Sequence, residues 1–402
     1  MHIVYLGIIS RPEDIGTVGI SSVAGNKMQY NLLKHLSEIE DVTIDVISFH
    51  PYKSFPSGKL FVKAKDEYLF GGRVKVRQIG YLNIFFIKQL LYPLITFSEA
   101  GRIIRGTDVV LAYDMYPAQG LPLSWLKSRV NGKTVCLLAD LSLGGVKRET
   151  GLRKVLRKLF DRSTLKSIKK CDNFIVLNEN AARVYAPHSR YLVMDGGVEP
   201  ADYDAVPAGW NRREKNIVYT GALVGYSGIL NLIEAMTLIN NDSIYLDIYG
   251  SGYLSETIES KCRALRNIRF HGPVGNKEAI MAQQTAWLLA NPRPVDNSIA
   301  QVTFPSKIFE YMMSGRPVLS TRLNGFSSDY DRLLFWVDDG EPATLAKMID
   351  TVDGLTEGEL QAMADSAREY LINNKTWKQN ARTVYSFIRE IAPGPGSACK
   401  KS

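Results

Sequence analysis

At 402 residues, with 45% hydrophobic and 22% charged residues, the chain has material for a sizeable core and reads as two folded domains, not a disordered chain. Its formal net charge of +8 and pI near 9.1 point to an acidic partner, for which nucleic acid, anionic lipid and phosphorylated small molecules all qualify. The four cysteines, Cys136, Cys171, Cys262 and Cys399, lie far apart without a CxxC or Cys/His cluster, which argues against a zinc site or a disulfide framework and fits a reducing cytoplasm.

Residues 2–7 read as a strand, not as a basic-then-apolar leader. A Gly/Ser-rich loop over 10–25 follows, then an amphipathic helix from about 26 to 38. A loop this long between strand and helix suits either a ligand contact near 19–26, with Gly25 as a candidate, or a plain surface loop. Further strands are expected at 42–48, 108–112, 134–139 and 173–177, a β/α alternation that predicts a parallel sheet. Residues 81–97 are apolar, but Asn83, Lys88, Gln89 and Pro93 interrupt them, so a buried or interfacial helix is expected there and not a span. Over 147–170, Leu152, Val155, Leu156, Leu159, Phe160, Leu165 and Ile168 recur at helical spacing among many cations. Such a helix lies on an anionic membrane surface, or it packs on the core with its basic face in water. Nucleic acid is the rival partner, yet no nucleic-acid-binding signature accompanies the charge.

The domain boundaries expected are 1–200, a linker at 201–213 containing Pro207 and Gly209, 214–378, a closing helix at 379–392 that returns to the first domain, and an unstructured tail at 393–402. In the second domain, strands at 216–221, 244–249 and one ending at Gly272 alternate with helices at 228–239, 254–265 and 277–284. An apolar run at 286–290 leads into Asn291-Pro292-Arg293-Pro294. Pro305 and Ser306 then read as a helix start, with Ser306 as cap and Gly315 as the stop. Lys307 and Glu310 are three apart and share one face of that helix's first turn, where free backbone amides favour an anion. A cation beside an anion-seeking helix end, with a carboxylate one turn further in, suits a nucleoside diphosphate and its ribose hydroxyls. The two Asp-x-Asp matches, at 202–204 and 329–331, do not follow strands, and no metal or other cofactor is expected.

Gly221, Gly250, Gly252 and Gly272 each open a loop toward the same sheet edge. With YTGAL, DIYGSG, FHGPV, NPRP, FPSKIFEYMMSGRPVLSTRLNG and VMDGGVEP, the chain resembles the retaining family 4 GT-B glycosyltransferases that build capsular and exopolysaccharides. The likeness covers most of 173–330 and the first 170 residues by pattern only. It implies an α/β fold of the GT-B type, two Rossmann-like βαβ domains facing each other across a cleft. The implied activity is metal-independent, retaining transfer of a sugar from a UDP- or GDP-sugar to a lipid-linked or growing polysaccharide acceptor. The implied place is cytoplasmic, peripherally on the anionic inner face of the cell membrane, with no nucleic-acid partner.

By resemblance, Glu310 holds the ribose hydroxyls, Lys307 and the amides after Ser306 hold the diphosphate, and Arg293 is a second cation for it. Pro273 and Val274 lie beside the base near the Gly250 loop, and Asp140 contacts the transferred sugar. Departures bear on these roles. Ala222 and Ser227 stand where relatives carry an arginine and a lysine, and Val302 stands where relatives carry a second glutamate. Diphosphate binding then falls to Lys307, Arg293 or Arg322, and sugar contacts to Asp296, Asn297 or Gln301. Two other readings of the same features are a nucleotide-sugar epimerase on this fold and a non-catalytic subunit of a glycosyltransferase complex.

Overall fold

A run such as Val109–Tyr113 has no polar face, so it is stable only where both sides are covered. Helices on a parallel sheet supply that cover twice over. The computed structural model describes residues 1–15, 22–130, 133–139, 141, 151–203, 215–295 and 302–392. The chain divides into two units, one of Met1–Asp195 together with the helix from Trp377, the other of Gly196–Thr376.

The first unit begins with β1 (His2–Leu6), helix α1 (Val23–Leu36) and β2 (Thr43–Ser48). Next come β3 (Phe61–Val62), β4 (Lys65–Leu69), β5 (Val74–Gln78), β6 (Tyr81–Leu82), α2 (Phe85–Ile103), β7 (Val109–Tyr113) and α3 (Pro117–Leu126). It continues through β8 (Lys133–Leu138), α4 (Gly151–Ile168), β9 (Asn173–Val176), α5 (Glu179–Tyr185) and β10 (Arg190–Val193). Eight strands form one sheet in the order β10-β9-β8-β7-β1-β2-β5-β4, parallel except for β4, while β3 and β6 pair apart. The edge pair β4–β5 was missed by apolar patterning, because β4 opens on three charged residues, Lys65, Asp66 and Glu67, and β5 alternates charged with buried ones. Asp66 of β4 pairs there with Arg77 of β5 at 2.8 Å.

Helix α1 starts three residues before the expected Asn26, because the Ser22 hydroxyl accepts the Gly25 amide at 2.9 Å. Gly25 is therefore buried in a first helical turn with its amide taken, and its neighbour Asn26 clamps both the amide and the carbonyl of Ser10 at 2.9 Å each. The expected loop over 10–25 is thus shorter at its C-terminal end, where Gly25 belongs to the helix; residues 16–21 of that loop lie outside the described residues.

The second unit is built from β11 (Lys215–Ala222), α6 (Ile229–Leu238), β12 (Ile244–Ser251), α7 (Ser255–Ala264), β13 (Ile268–Gly272), α8 (Asn276–Gln284) and β14 (Leu288–Asn291). Then follow α9 (Lys307–Met313), β15 (Val318–Thr321), β16 (Phe335–Val337), α10 (Pro342–Asp353) and α11 (Glu357–Asn374). Its six parallel strands run β13-β12-β11-β14-β15-β16 over a core that includes Ile217, Ile233, Leu246, Leu288, Leu319 and Ile349. The last helix, α12 (Trp377–Ile391), packs on α1 in the first unit. The linker from 204 to 213 and the tail from 393 lie outside the described residues.

Each sheet reverses its strand order at one point, between β1 and β7 in the first unit and between β11 and β14 in the second. Ligands of open α/β sheets bind beyond the carboxyl ends of the strands at such points. Two of the glycines at the second of these edges, Gly250 and Gly252, are required by close backbone packing. Gly250 has φ +145°, and a Cβ on it would sit 1.8 Å from the Gly221 carbonyl oxygen of the neighbouring strand. Gly250→Ala is expected to destabilise the protein by at least ~3 kcal/mol, about 10 °C in melting temperature, as read by thermal denaturation. A wild-type melting temperature in the variant would show that this edge relaxes freely.

Candidate functional site

Strand β11 pairs with β14 only at Ile217 and Val218, so beyond that point its backbone on this side lacks a ladder partner. Tyr311 of α9 fills the gap. Its phenol oxygen accepts the Thr220 amide at 2.9 Å and donates to the Thr220 carbonyl at 3.1 Å, while Gln283 Nε2 donates to the Thr220 hydroxyl at 2.8 Å. Burial pushes the Tyr311 phenol up to about 12, with nearby Glu310 raising it further, while the bonds to Thr220 and nearby Arg293 lower it. Helix α9 is thereby fixed to the end of β11, and the chain's candidate charges ride on it. Tyr311→Phe leaves two buried backbone groups unpaired and is expected to cost ~2–3 kcal/mol in chemical denaturation. An unchanged midpoint would mean that water replaces the phenol.

Lys307 and Glu310 do share one face of α9. Lys307 Nζ lies 2.6 Å from Glu310 Oε2, and both side chains are partly exposed, at 36% and 27%. The pair is thus open to a ligand that can take the ammonium in exchange. The helix start itself departs from expectation. Ser306 has helical φ/ψ and its side chain caps nothing, because the turn already begins at Pro305, whose carbonyl accepts the Ile308 amide at 2.9 Å. The helix is also only seven residues long. Anion binding here therefore rests on side-chain cations more than on the helix end.

Arg293 comes to the same place from the loop after β14. Gly228, at φ +74°, admits it: a Cβ there would lie 1.7 Å from the Pro292 carbonyl oxygen, so that loop is pressed onto the start of α6. The Arg293 side chain is partly buried beside the phenols of Tyr219, Tyr226 and Tyr311, and burial lowers its pKa. Among the described residues no carboxylate pairs with it. Tyr219 joins the two cations. Its hydroxyl donates to the Ala222 carbonyl at 2.9 Å, and its pKa is pushed up to about 12 by burial, with Tyr311 nearby raising it and Ser227, Arg293 and Lys307 lowering it. Arg293, Lys307 and Glu310 thus gather around two tyrosines at the point where the strand order reverses.

The departures have local explanations. Ser227 is buried and its hydroxyl donates to the Val224 carbonyl at 2.7 Å, closing a 3-10 turn at Gly225–Ser227. Arg322 is held by Asp331 at 2.6 Å and stacks over Trp336 at 4.4 Å, so it is committed elsewhere. The same bond ties up one carboxylate of Asp329-Tyr330-Asp331, and Tyr330 between them is fully buried. Among the described residues no group of three His, Cys, Asp or Glu side chains is placed to hold a metal ion.

Gly221 and Gly250 pair across β11 and β12, and Gly252 follows in the loop; Pro273 and Val274 lie in the loop from β13 into α8, two strands from β11. At the usual strand spacing that is about 10 Å from the Gly221 end, along an edge long enough for a nucleoside diphosphate. Beside that loop His271 stacks on Tyr249 with ring centroids 4.3 Å apart and bonds Asp247 at 2.8 Å.

Asp140, Asp296, Asn297 and Gln301 lie outside the described residues. Beside the end of β8, however, sits a residue that sequence patterning missed. Asp114 follows β7 at φ +55°, is buried, and accepts the Ala139 amide on Oδ1 at 3.0 Å. A non-glycine residue held in the left-handed region at a strand-order reversal marks stored strain of the kind found at functional sites. The signal in the sequence is one acidic residue directly after the wholly apolar run of β7.

A family model described as "Glycosyl transferases group 1" matches residues 214–352, which span most of the second unit. No curated protein shows a significant sequence match. Among solved structures, the chain is similar to sucrose-phosphate synthase from Thermosynechococcus elongatus, at 16% identity over 97% of this chain and 99% of that one, with TM-score 0.69. It is also similar to Anabaena Alr3699/HepE in complex with UDP, at 15% identity over 97% and 100%, TM-score 0.65. A third is WaaG, a glycosyltransferase involved in lipopolysaccharide biosynthesis, at 14% identity over 96% and 99%, TM-score 0.61. These likenesses establish the fold: two Rossmann-like α/β units of the GT-B type.

Proposed function

We propose that the protein is a retaining glycosyltransferase that takes one sugar from a UDP- or GDP-sugar and passes it to a lipid-linked or growing polysaccharide acceptor. One observation carries this reading: Arg293, a partly buried cation with no carboxylate partner among the described residues, and Lys307 both act on Tyr219 at the strand-order reversal. A buried cation without a counter-ion is unfavourable unless something anionic visits it. A donor diphosphate meets that need. The similarity to a structure that holds UDP supports the donor class, and the similarity to WaaG supports a glycan acceptor of surface-polysaccharide type.

In this account Arg293 and Lys307 hold the two phosphates and Glu310 releases Lys307 to take the ribose hydroxyls. As the bond from the anomeric carbon to the phosphate oxygen breaks, negative charge grows on the diphosphate, and the two cations stabilise it most in the transition state. The acceptor oxygen attacks from the same face, and its proton passes to the departing phosphate oxygen. The configuration is retained and no protein nucleophile is required. Charge stabilisation that a divalent metal would provide falls to Arg293 and Lys307.

The test is a panel of radiolabelled nucleotide sugars with and without a lipid-linked acceptor. Label is expected to enter the lipid fraction from one donor. Conversion of the sugar without acceptor points to an epimerase. Failure to bind either UDP or GDP points to a non-catalytic subunit, the reading that Ala222 and Ser227 favour.

A further inference from the structure

Three segments of the first unit carry large apolar side chains into solvent. Phe55 and Phe61 on the ribbon before β4, and Phe85, Phe86, Leu90 and Leu94 on α2, are each exposed by between 44% and 67%. Monomeric proteins rarely leave such a group uncovered without use. The ribbon is locked to the start of α2: Asn83 Nδ2 donates to the carbonyls of Lys53 and Lys59 at 2.8 Å each, and Phe61 pairs with Leu82. Lys88, buried on the inner face of α2, donates to Asn83 Oδ1 and to the Tyr52 carbonyl at 2.9 Å each. Helix α4 adjoins α2 across a groove of about 410 Å³ lined by Phe85, Phe86, Leu90, Leu156 and Phe160. The exposed face of α4 adds Val155, Leu159 and Leu165.

The charge on this face has one sign. Residues 53–63 hold Lys53, Lys59 and Lys63 and no acid, and 84–98 hold no acid either. On α4 the exposed Lys154, Lys158, Arg162 and Lys166 interleave with the exposed apolar residues, while its one acid, Asp161, is mostly buried and bonded to Arg157 at 3.3 Å. Protein–protein interfaces are depleted in lysine, whereas phenylalanine and leucine among lysines and arginines are the composition of segments that lie in a bilayer surface. Among the described residues no helix is long and apolar enough to cross a membrane.

We propose that this face of the first unit, made by the 53–63 ribbon, α2 and α4, docks on an anionic lipid bilayer, its phenylalanines and leucines entering the headgroup boundary and its cations meeting the lipid phosphates. The proposal does not depend on the donor chemistry of the second unit. It extends the basic face of α4 to an apolar insertion surface on two further elements.

Sedimentation of the full-length protein with vesicles tests it. Binding is expected to vesicles of phosphatidylcholine mixed with phosphatidylglycerol and to be much weaker to phosphatidylcholine alone. The triple variant Lys158→Gln, Arg162→Gln, Lys166→Gln is expected to bind about a hundredfold more weakly. The variant Phe86→Ser, Leu90→Ser, Leu94→Ser is expected to lose at least tenfold, a loss that persists at high salt. In a Phe86→Trp variant, emission from the new indole is expected to shift to the blue when anionic vesicles are added. Equal binding by all variants, or no shift at position 86, overturns the proposal. So does a dimer that the serine variant dissociates and that binds no vesicles, since the face would then cover a second copy of the chain.

Discussion

Arg293→Met is expected to leave the melting temperature unchanged or raise it, while weakening UDP or GDP binding about a hundredfold or more. The two effects have one cause. In the free protein the guanidinium is partly removed from water and faced by phenols, and burial lowers its pKa. Methionine has a comparable volume and no charge, so it removes the cost of burying one, and replacing buried charges with apolar side chains is often neutral or stabilising. A bound diphosphate reverses the balance, because losing one partner of a buried charge pair costs ~2–5 kcal/mol. Arg293→Lys keeps the charge without the planar fork and is expected to recover only part of the affinity. Thermal melts and calorimetric titration read the two effects separately. A variant that melts earlier and binds nucleotide normally makes Arg293 a structural residue.

For Lys307 and Glu310 the expected outcome is the opposite kind: large losses of activity with little change in stability. Their ion pair is half in solvent, and such pairs contribute ~0–1 kcal/mol. Lys307→Ala is expected to lower kcat by ~10²–10³-fold, because the charge that it faces grows only as the sugar leaves. Glu310→Ala removes a ribose contact that is equal in ground and transition states, so donor KM is expected to rise with kcat nearly kept. The double variant is not expected to show the sum, since each side chain positions the other at 2.6 Å. Undiminished transfer by the double variant would remove both residues from the site.

The parts of the fold that were legible in the sequence are those whose physics is local. Strands β1, β7, β8 and β11 are buried on both faces and so appear as unbroken apolar runs closed by a glycine or a polar residue. Helix α9 was legible for a related reason, as a three-residue spacing of opposite charges between proline and glycine. The half-exposed edge strand β4 alternates Lys65, Asp66, Glu67 and Tyr68, and no apolar pattern remains to find. Ser306 shows the limit at helix ends: whether a serine caps depends on which carbonyl closes the first turn, and here it is that of Pro305. Tyr311 carries no signal of its role in the sequence, because its hydrogen bonds exist only where β11 and β14 part. Asp114 escaped notice since its meaning lies in a positive φ, which no residue type announces. The exposed face of α2 was half legible: interruption by Lys88 and Pro93 excluded a span, but only the fold shows that both of those turn inward and leave Phe86, Leu90 and Leu94 outside.

The central claim is that a nucleoside diphosphate sits where β11 and β14 diverge, and diffraction from crystals soaked in UDP tests it most directly. The account predicts phosphate oxygens within hydrogen-bond distance of both Arg293 and Lys307, with Glu310 turned from Lys307 to the ribose and the base near Pro273. UDP bound away from Arg293, or seated there with the Lys307–Glu310 pair intact and neither cation on a phosphate, would contradict it.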